Sequence, residues 1–343
     1  MKETANTDAV PPLRVGLTYN VKSGTKTDIE DEEAEYDSLD TVLAIKQALE
    51  EELFSVELLE ADDQLPQKLL HSKPDIVFNI AEGRKGRGRE AQVPAILNYY
   101  RIPYTGSDET TLCIALDKAL TKRLLATYKI RTPKYRVISR EHGRWNGAFA
   151  LPAIVKPNAE GSSKGISDVA IAANTEELRN LLNCSLSLYR QDMLVEEYID
   201  GREFTVGILG NGDDTLVFRP MEIVYLNKQS DYHIYSYQVK QNFKTLIRYD
   251  CPASISAQME SEMMRTARKI YDALCCKDFA RMDFRLSADG KLYFIEINPL
   301  PGLAPGYSDY PMLADFSGMG YSELVRGVLK SALKRYGLNL PRR

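Results

Sequence analysis

The sequence predicts an α/β chain of several domains, and three observations carry that prediction. Its N-terminal third alternates short apolar strands with amphipathic helices. Its C-terminal half holds strand pairs joined by Asn211-Gly212 and Asp289-Gly290, the strongest short hairpin signals. Its 343 residues leave room for two or three domains with real cores. Apolar residues make up 44% and charged residues 27%, as in ordinary globular proteins, and the net charge of −4 offers no basic footprint for nucleic acid or an anionic membrane. The five cysteines are odd in number and show no C-x-x-C spacing; with only three histidines, zinc is not expected. Reduced thiols, a polar Met1–Ala9 and no apolar run approaching 18 residues lead to the expectation of a cytoplasmic protein.

Each element follows from its letters. Leu13–Tyr19 reads as a strand, followed by an acidic loop from Thr27 to Glu35. A helix from about Ser38 to Glu52 carries Val42, Ile45 and Leu49 on one stripe. Phe54–Leu59 is a second strand and Pro66–Leu70 a short helix. Asp75–Ile80 is a near-continuous apolar run, typical of a strand covered on both faces. A glycine-rich loop leads into a helix at Val93–Tyr100, closing a first domain over residues 1–108. Helices from about Thr110 to Tyr128 open a second domain, 109–192. It holds strands at Leu151–Lys156 and Asp168–Ala172, and a helix at Glu176–Leu182 capped by Thr175. A third domain, 193–343, begins with Met193–Ile199. It contains the hairpin Phe204–Leu209/Leu216–Phe218, a helix near Glu260–Leu274, a second hairpin, and a closing helix from about Ser322 to Tyr336.

The second hairpin, Phe279 to Asn298, carries most of the functional information. The period of two puts Arg281, Asp283 and Arg285 on one face of its first strand. On its partner, Glu296 and Asn298 share a face while Tyr293, Ile295 and Ile297 take the other. Folding at Gly290 sets Asp283 opposite Glu296, two carboxylates that repel unless one protonates or a cation joins them. With the Asn298 amide they form an all-oxygen set suited to Mg²⁺, and Mn²⁺ fits the same donors. A half-exposed sheet face with solvated charges would carry similar letters; the otherwise buried-looking run around Glu296 favours the metal.

Two glycine loops follow strands. Lys156 ends one strand beside Glu160-Gly-Ser-Ser-Lys-Gly165, where small residues let backbone N–H groups approach an anion. A flexible surface loop with a snorkelling lysine is the plainer alternative. Gly86-Arg-Gly-Arg-Glu-Ala91 fits the outline of a dinucleotide fingerprint, with Asp108 about twenty residues on. Two arginines crowd a turn that needs small residues, and it is not the first βα turn.

Further segments stand in a fixed order: Pro103-Tyr-Thr-Gly-Ser107, Leu116-Asp-Lys118, Ile154-Val-Lys-Pro157 with Glu160-Gly-Ser-Ser163, Val195-Glu-Glu-Tyr with Gly201-Arg-Glu-Phe-Thr-Val206, Arg281-Met-Asp283, and Glu296-Ile-Asn298 with Leu300-Pro-Gly302. In order and spacing they resemble the ATP-grasp superfamily, in its D-alanine–D-alanine ligase branch, over about residues 74–335. The resemblance implies a three-domain ATP-grasp fold, with ATP between the second and third domains. It implies ligation of a carboxylate to an amine through an acyl phosphate. Lys118, Lys156 and Lys240 would contact phosphates, and the loop at Ser162 and Ser163 would close over them. Glu196 with the backbone of Tyr198 and Ile199 would read adenine, and Glu203 would hold ribose. Asp283, Glu296 and Asn298 would hold two Mg²⁺, and Arg281 would stabilise the oxyanion.

The substrate end departs from the family. Tyr19-Asn-Val-Lys-Ser-Gly replaces the family's Gly-Gly and Ser-x-Glu motif, leaving Glu35 as the nearest carboxylate for a substrate amine. Glu82-Gly83 stands for His-Gly, and Gln241 for a tyrosine. Tyr307-Ser308-Asp309-Tyr-Pro311 resembles the vancomycin-resistance ligases, except that Asp309 replaces their arginine and the leucine of ordinary ligases. Substrates are therefore expected to be amino acids or carboxylic acids other than two D-alanines, met by Glu35, Glu82, Ser308 and Asp309. Alternatively Asp309 turns outward to the Arg84–Arg89 loop. A genuine D-alanine–D-alanine ligase and a nucleotide-binding pseudoenzyme stay open, as does a homodimer.

Overall fold

The computed structural model describes residues 12–22, 36–52, 54–141, 149–161, 170–226 and 232–338. Ser162 and Ser163 of the phosphate loop and Glu35 lie outside the described residues. The first unit comprises β1 (Arg14–Tyr19), α1 (Leu39–Glu50), β2 (Ser55–Glu60), α2 (Leu65–Ser72), β3 (Ile76–Asn79) and α3 (Gln92–Tyr99). Its sheet is parallel in the order β2-β1-β3, and β3 is buried at every position, as its apolar run requires. Ser38 caps α1, accepting from the Thr41 N–H at 3.3 Å, and the stripe Val42, Ile45, Leu49 is buried.

The central unit comprises α4 (Glu109–Leu116), α5 (Lys118–Thr127), β4 (Tyr135–Ile138), β5 (Ala153–Pro157), β6 (Ile171–Ala172), α6 (Thr175–Tyr189) and β7 (Met193–Glu197). Asp117 breaks the expected helical run in two: its extended backbone ends α4, and its carboxylate caps α5 by accepting from the Leu120 N–H at 2.9 Å. The cap of α6 is Asn174 rather than Thr175. One residue earlier, Asn174 is extended, and its side chain accepts from both the Glu176 and Glu177 N–H groups. The antiparallel sheet runs β4-β7-β5-β6. The strand expected to open the third domain thus lies inside the central sheet, paired on both sides. We therefore propose a boundary after Glu197 in place of 192/193.

The third unit comprises β8 (Gly201–Leu209), β9 (Leu216–Val217), β10 (Met221–Tyr225), α7 (Tyr237–Gln241), α8 (Phe243–Leu246), β11 (Ile247–Asp250), α9 (Ala257–Ala273), β12 (Phe279–Ser287), β13 (Leu292–Asn298), α10 (Asp309–Phe316) and α11 (Tyr321–Arg335). Its antiparallel sheet runs β11-β10-β8-β12-β13, with β9 paired to β8. One face packs Phe204, Val206, Met282, Phe284 and Phe294 against Met263, Ala267 and Ile270 of α9. Each of these side chains other than Ala267 contributes about 1.5–3 kcal/mol. The closing helix returns to the first unit, where Leu324, Val325 and Val328 share a core with Val42, Ile45 and Leu49. Among the described residues, no helix is long and apolar enough to cross a membrane.

Candidate active site

The site is built on the β12–β13 hairpin. Its register sets Arg281 opposite Asn298 and Asp283 opposite Glu296, as the turn predicts. Between Asp283 and Phe284 the register shifts, and Phe284 pairs with Phe294, so Ile295 is an extra residue, a β-bulge. The bulge corrects the expected faces. Leu292, Phe294 and Ile297 go into the core, while Ile295 joins Glu296 in lining the cleft between the central and third sheets. A strict period of two carries no bulge, which is why the sequence placed Ile295 with Ile297.

That cleft spans about 590 Å³ when the solvent at its mouth is included. Ile154, Ile199, Ile234 and Ile295 supply apolar walls; Lys156, Lys240, Asp283 and Glu296 supply charge. Such a lining suits a flat aromatic base joined to a polyphosphate. Lys118, set at the start of α5 by the Asp117 cap, lies 3.3 Å from Glu296 and donates to the Glu160 carbonyl. Lys156 on β5 lies 2.7 Å from Glu196, whose other oxygen is 2.5 Å from Lys122. Lys240 on α7 makes no ion pair among the described residues and sits 4.8 Å from the Tyr235 ring centroid. Burial and neighbouring Arg281 push its ammonium below the usual lysine range.

Burial, then Glu296, raises the Asp283 carboxyl, although Arg281 opposes the shift. Burial would raise Glu296 too, but Lys118, Lys156, Lys240 and Arg281 overcome it and bring Glu296 to about 2. Two facing carboxylates and the Asn298 amide oxygen fit a hard divalent ion. The Asn298 oxygen accepts from the Leu300 N–H at 3.1 Å and keeps a second lone pair. Among the described residues, no third carboxylate, histidine or cysteine joins them.

At the other end, Glu203 is held by Arg285 at 2.9 Å and by the Tyr225 hydroxyl at 2.7 Å. Arg285 also donates to the Ile199 carbonyl at 2.7 Å and stacks 4.9 Å from the Tyr198 ring centroid. The Tyr198 N–H is engaged by the Pro152 carbonyl at 3.0 Å, so of the two expected backbone readers only Ile199 keeps its N–H uncommitted among the described residues.

Asp309 does not turn outward. It is buried at the start of α10, 3.2 Å from Arg281, and accepts from the Tyr235 hydroxyl at 2.8 Å. The loop arginines pair elsewhere: Arg84 with Asp63, Arg87 with Asp117 and Arg89 with Glu160. Arg281 also reaches Asp283 at 3.0 Å, which leaves its buried Nε without a partner among the described residues. The Ser308 hydroxyl accepts from the Ala304 N–H at 3.2 Å. Glu82 lines an adjoining cavity with Glu90, Lys118, Glu296 and Asn298. Positive φ at Gly83 positions it; a Cβ there would fall 2.0 Å from the Arg89 carbonyl oxygen.

Of two further site residues, the sequence left Lys122 unread and placed Arg285 without giving it a role. Lys122 stands one helical turn after Lys118, a spacing that places both on one face and could have revealed it. Arg285 shares the strand face of Arg281 and Asp283, but nothing in its letters announces that it grips Glu203.

A sequence profile described as D-ala D-ala ligase C-terminus matches residues 124–330. The D-alanine–D-alanine ligase of Aquifex aeolicus is 34% identical over 295 residues, covering 84% of this chain and 93% of that protein. That of Fervidobacterium nodosum is 33% identical over 311 residues, covering 85% and 92%. The crystal structure of the D-alanine–D-alanine ligase from Bacillus anthracis complexed with ATP shares the fold, with a TM-score of 0.73 at 20% identity, covering 95% of this chain and 99% of that one.

Proposed function

We propose, from the premise that this chain belongs to the D-alanine–D-alanine ligase family of ATP-grasp carbon–nitrogen ligases, that it joins a carboxylic acid to an amine other than the D-alanine pair. The carboxylate oxygen bonds to the γ-phosphorus of ATP as the bond to the β–γ bridging oxygen breaks and ADP leaves. The amine nitrogen then attacks the acyl carbon, and phosphate departs. Lys118, Lys156 and Lys240 neutralise the phosphate oxygens; Glu196, Ile199 and Glu203 face the nucleoside. Asp283, Glu296 and Asn298 would hold Mg²⁺, which when bound stabilises charge on the phosphoryl oxygens. With one N–H of each Arg281 terminal nitrogen engaged, its unpartnered Nε–H and the remaining terminal N–H groups are the donors left for the tetrahedral oxyanion.

One observation carries the altered specificity: the Asp309–Arg281 ion pair, buried and braced by Tyr235. A substrate carboxylate at this point would find Arg281 already neutralised and Asp309 repelling it. An acceptor with a neutral or cationic group here escapes that penalty. The names of the relatives favour a second reading, synthesis of D-alanyl-D-alanine itself. A pseudoenzyme would be expected to lose its lysines and metal acids first, and these are in place. Phosphate release with ATP, Mg²⁺ and amino-acid pairs separates the readings. The expected result is turnover of another pair with D-alanine poor. Efficient D-alanyl-D-alanine synthesis, unaffected by Asp309→Leu, would overturn the proposal.

A further inference from the structure

We infer that Lys122, which lines neither the cleft nor its adjoining cavity, is a positioning residue that fixes the Ile295 bulge, and with it Glu296, to the opposite wall of the site. Its side chain is fully buried, a placement that persists only where its charge and its N–H groups are answered. The answers come from both walls. Glu196 of β7 lies 2.5 Å away, and the ammonium donates to the Ile295 carbonyl of β13 at 3.0 Å. The Phe294 ring centroid lies at 5.9 Å.

Ile295 is the residue that the bulge inserts, so its carbonyl stands outside the regular ladder. Lys122 supplies the missing donor. The bulge in turn decides which way Glu296 points, because a slip of one residue moves side chains to the opposite face. Holding the Ile295 carbonyl therefore keeps Glu296 opposite Asp283. The same ammonium shares the Glu196 carboxylate with Lys156. Without Lys122, Glu196 would draw on Lys156 alone and hold it back from a phosphate. One buried cation thus sets both the carboxylate and the lysine that face the cleft, without touching the ligand.

The inference rests on the reading of Asp283 and Glu296 as the metal pair, and its test separates the two. Lys122→Met removes charge and donor; Lys122→Gln removes charge but keeps a donor for the Ile295 carbonyl. Three measurements apply: calorimetric titration with MgATP in the absence of amino acids, the Mg²⁺ concentration for half-maximal turnover, and amide hydrogen exchange over residues 292–298. For Lys122→Met we expect a Mg²⁺ requirement raised about 10–100-fold, the usual effect of losing a group that orients a metal ligand. MgATP binding should weaken and exchange around Ile295 should quicken. Lys122→Gln should recover much of the exchange protection and Mg²⁺ response but not the nucleotide affinity. A folded Lys122→Met protein with parental MgATP affinity, Mg²⁺ requirement and exchange would overturn the inference, whatever its melting temperature. Should Lys122→Met not fold, parental values in Lys122→Gln for MgATP binding would do the same. If the parent itself bound no MgATP, the reading of the site would fail, and unchanged exchange in the variants would still decide the role of Lys122.

Discussion

Replacing Lys156 with Met keeps the length of the side chain in its buried slot and removes only the ammonium. Two effects follow from the geometry, and they separate experimentally. The first is on stability. Lys156 and Lys122 flank Glu196 at 2.7 and 2.5 Å, so the substitution takes away one of two cations from a buried carboxylate. Breaking a buried pair outright costs about 3–5 kcal/mol. Because Lys122 remains, the expected loss lies at or below the lower end of that range. The second effect is on nucleotide binding. Lys156 lines the cleft, and under the proposed phosphate role its loss removes one charge-assisted contact, about 1.5–3 kcal/mol, or roughly ten- to hundredfold in affinity. Calorimetric titration with MgATP measures the second effect, and thermal unfolding the first. Adding Glu196→Gln to Lys156→Met would leave the buried Lys122 ammonium without its carboxylate, so stability should fall further while affinity stays low. Unchanged MgATP affinity in folded Lys156→Met would refute the phosphate role, and recovery of affinity in the double variant would show that the lysine serves Glu196 alone.

The proposed metal pair, Asp283 and Glu296, should respond differently from the lysines. Glu296→Gln and Asp283→Asn each leave an oxygen donor but remove a charge, so Mg²⁺-dependent turnover should fall at least tenfold in both. Near-normal Mg²⁺ dependence in both would reduce the hairpin to a structural face. Away from the site, burial raises the Asp37 carboxyl from 3.8 to about 7, with Lys22 opposing. The folded state thus holds this proton more tightly than the unfolded chain. Its stabilising contribution is complete below about pH 4 and is lost as pH rises towards 7, at most about 4 kcal/mol. Asp37→Asn should remove that part of the decline, so its thermal midpoint should gain on the parent's between pH 5 and 8; parallel curves would contradict the assignment.

The letters carried the hairpin, because its turn dipeptide and strand patterns are local. Local pairing is also why Asp283 and Glu296 meet as read. The bulge at Ile295 was not legible, since it depends on a donor from α5, far along the chain. Lys122 looks like any lysine on an amphipathic helix until the third sheet covers it. Asp309 was read as unusual but its direction was not, because its partners, Arg281 and Tyr235, come from separate elements. Short elements hid for another reason. The half-exposed β4 buries too little to leave a pattern, and β7 reads the same whichever sheet receives it.

The packing of α11 on α1 has a consequence for how the chain is made. During synthesis β1, α1, β2 and β3 emerge well before α11, and their parallel strands can pair in that interval. The stripe of Val42, Ile45 and Leu49 shares its core with Leu324, Val325 and Val328, which leave the ribosome much later. Until then the nascent first unit carries an open apolar face, the condition under which partly folded chains associate or recruit chaperones. Emergence of α11 is therefore the step that seals the first unit, and a fragment ending near residue 108 would keep that face uncovered for good.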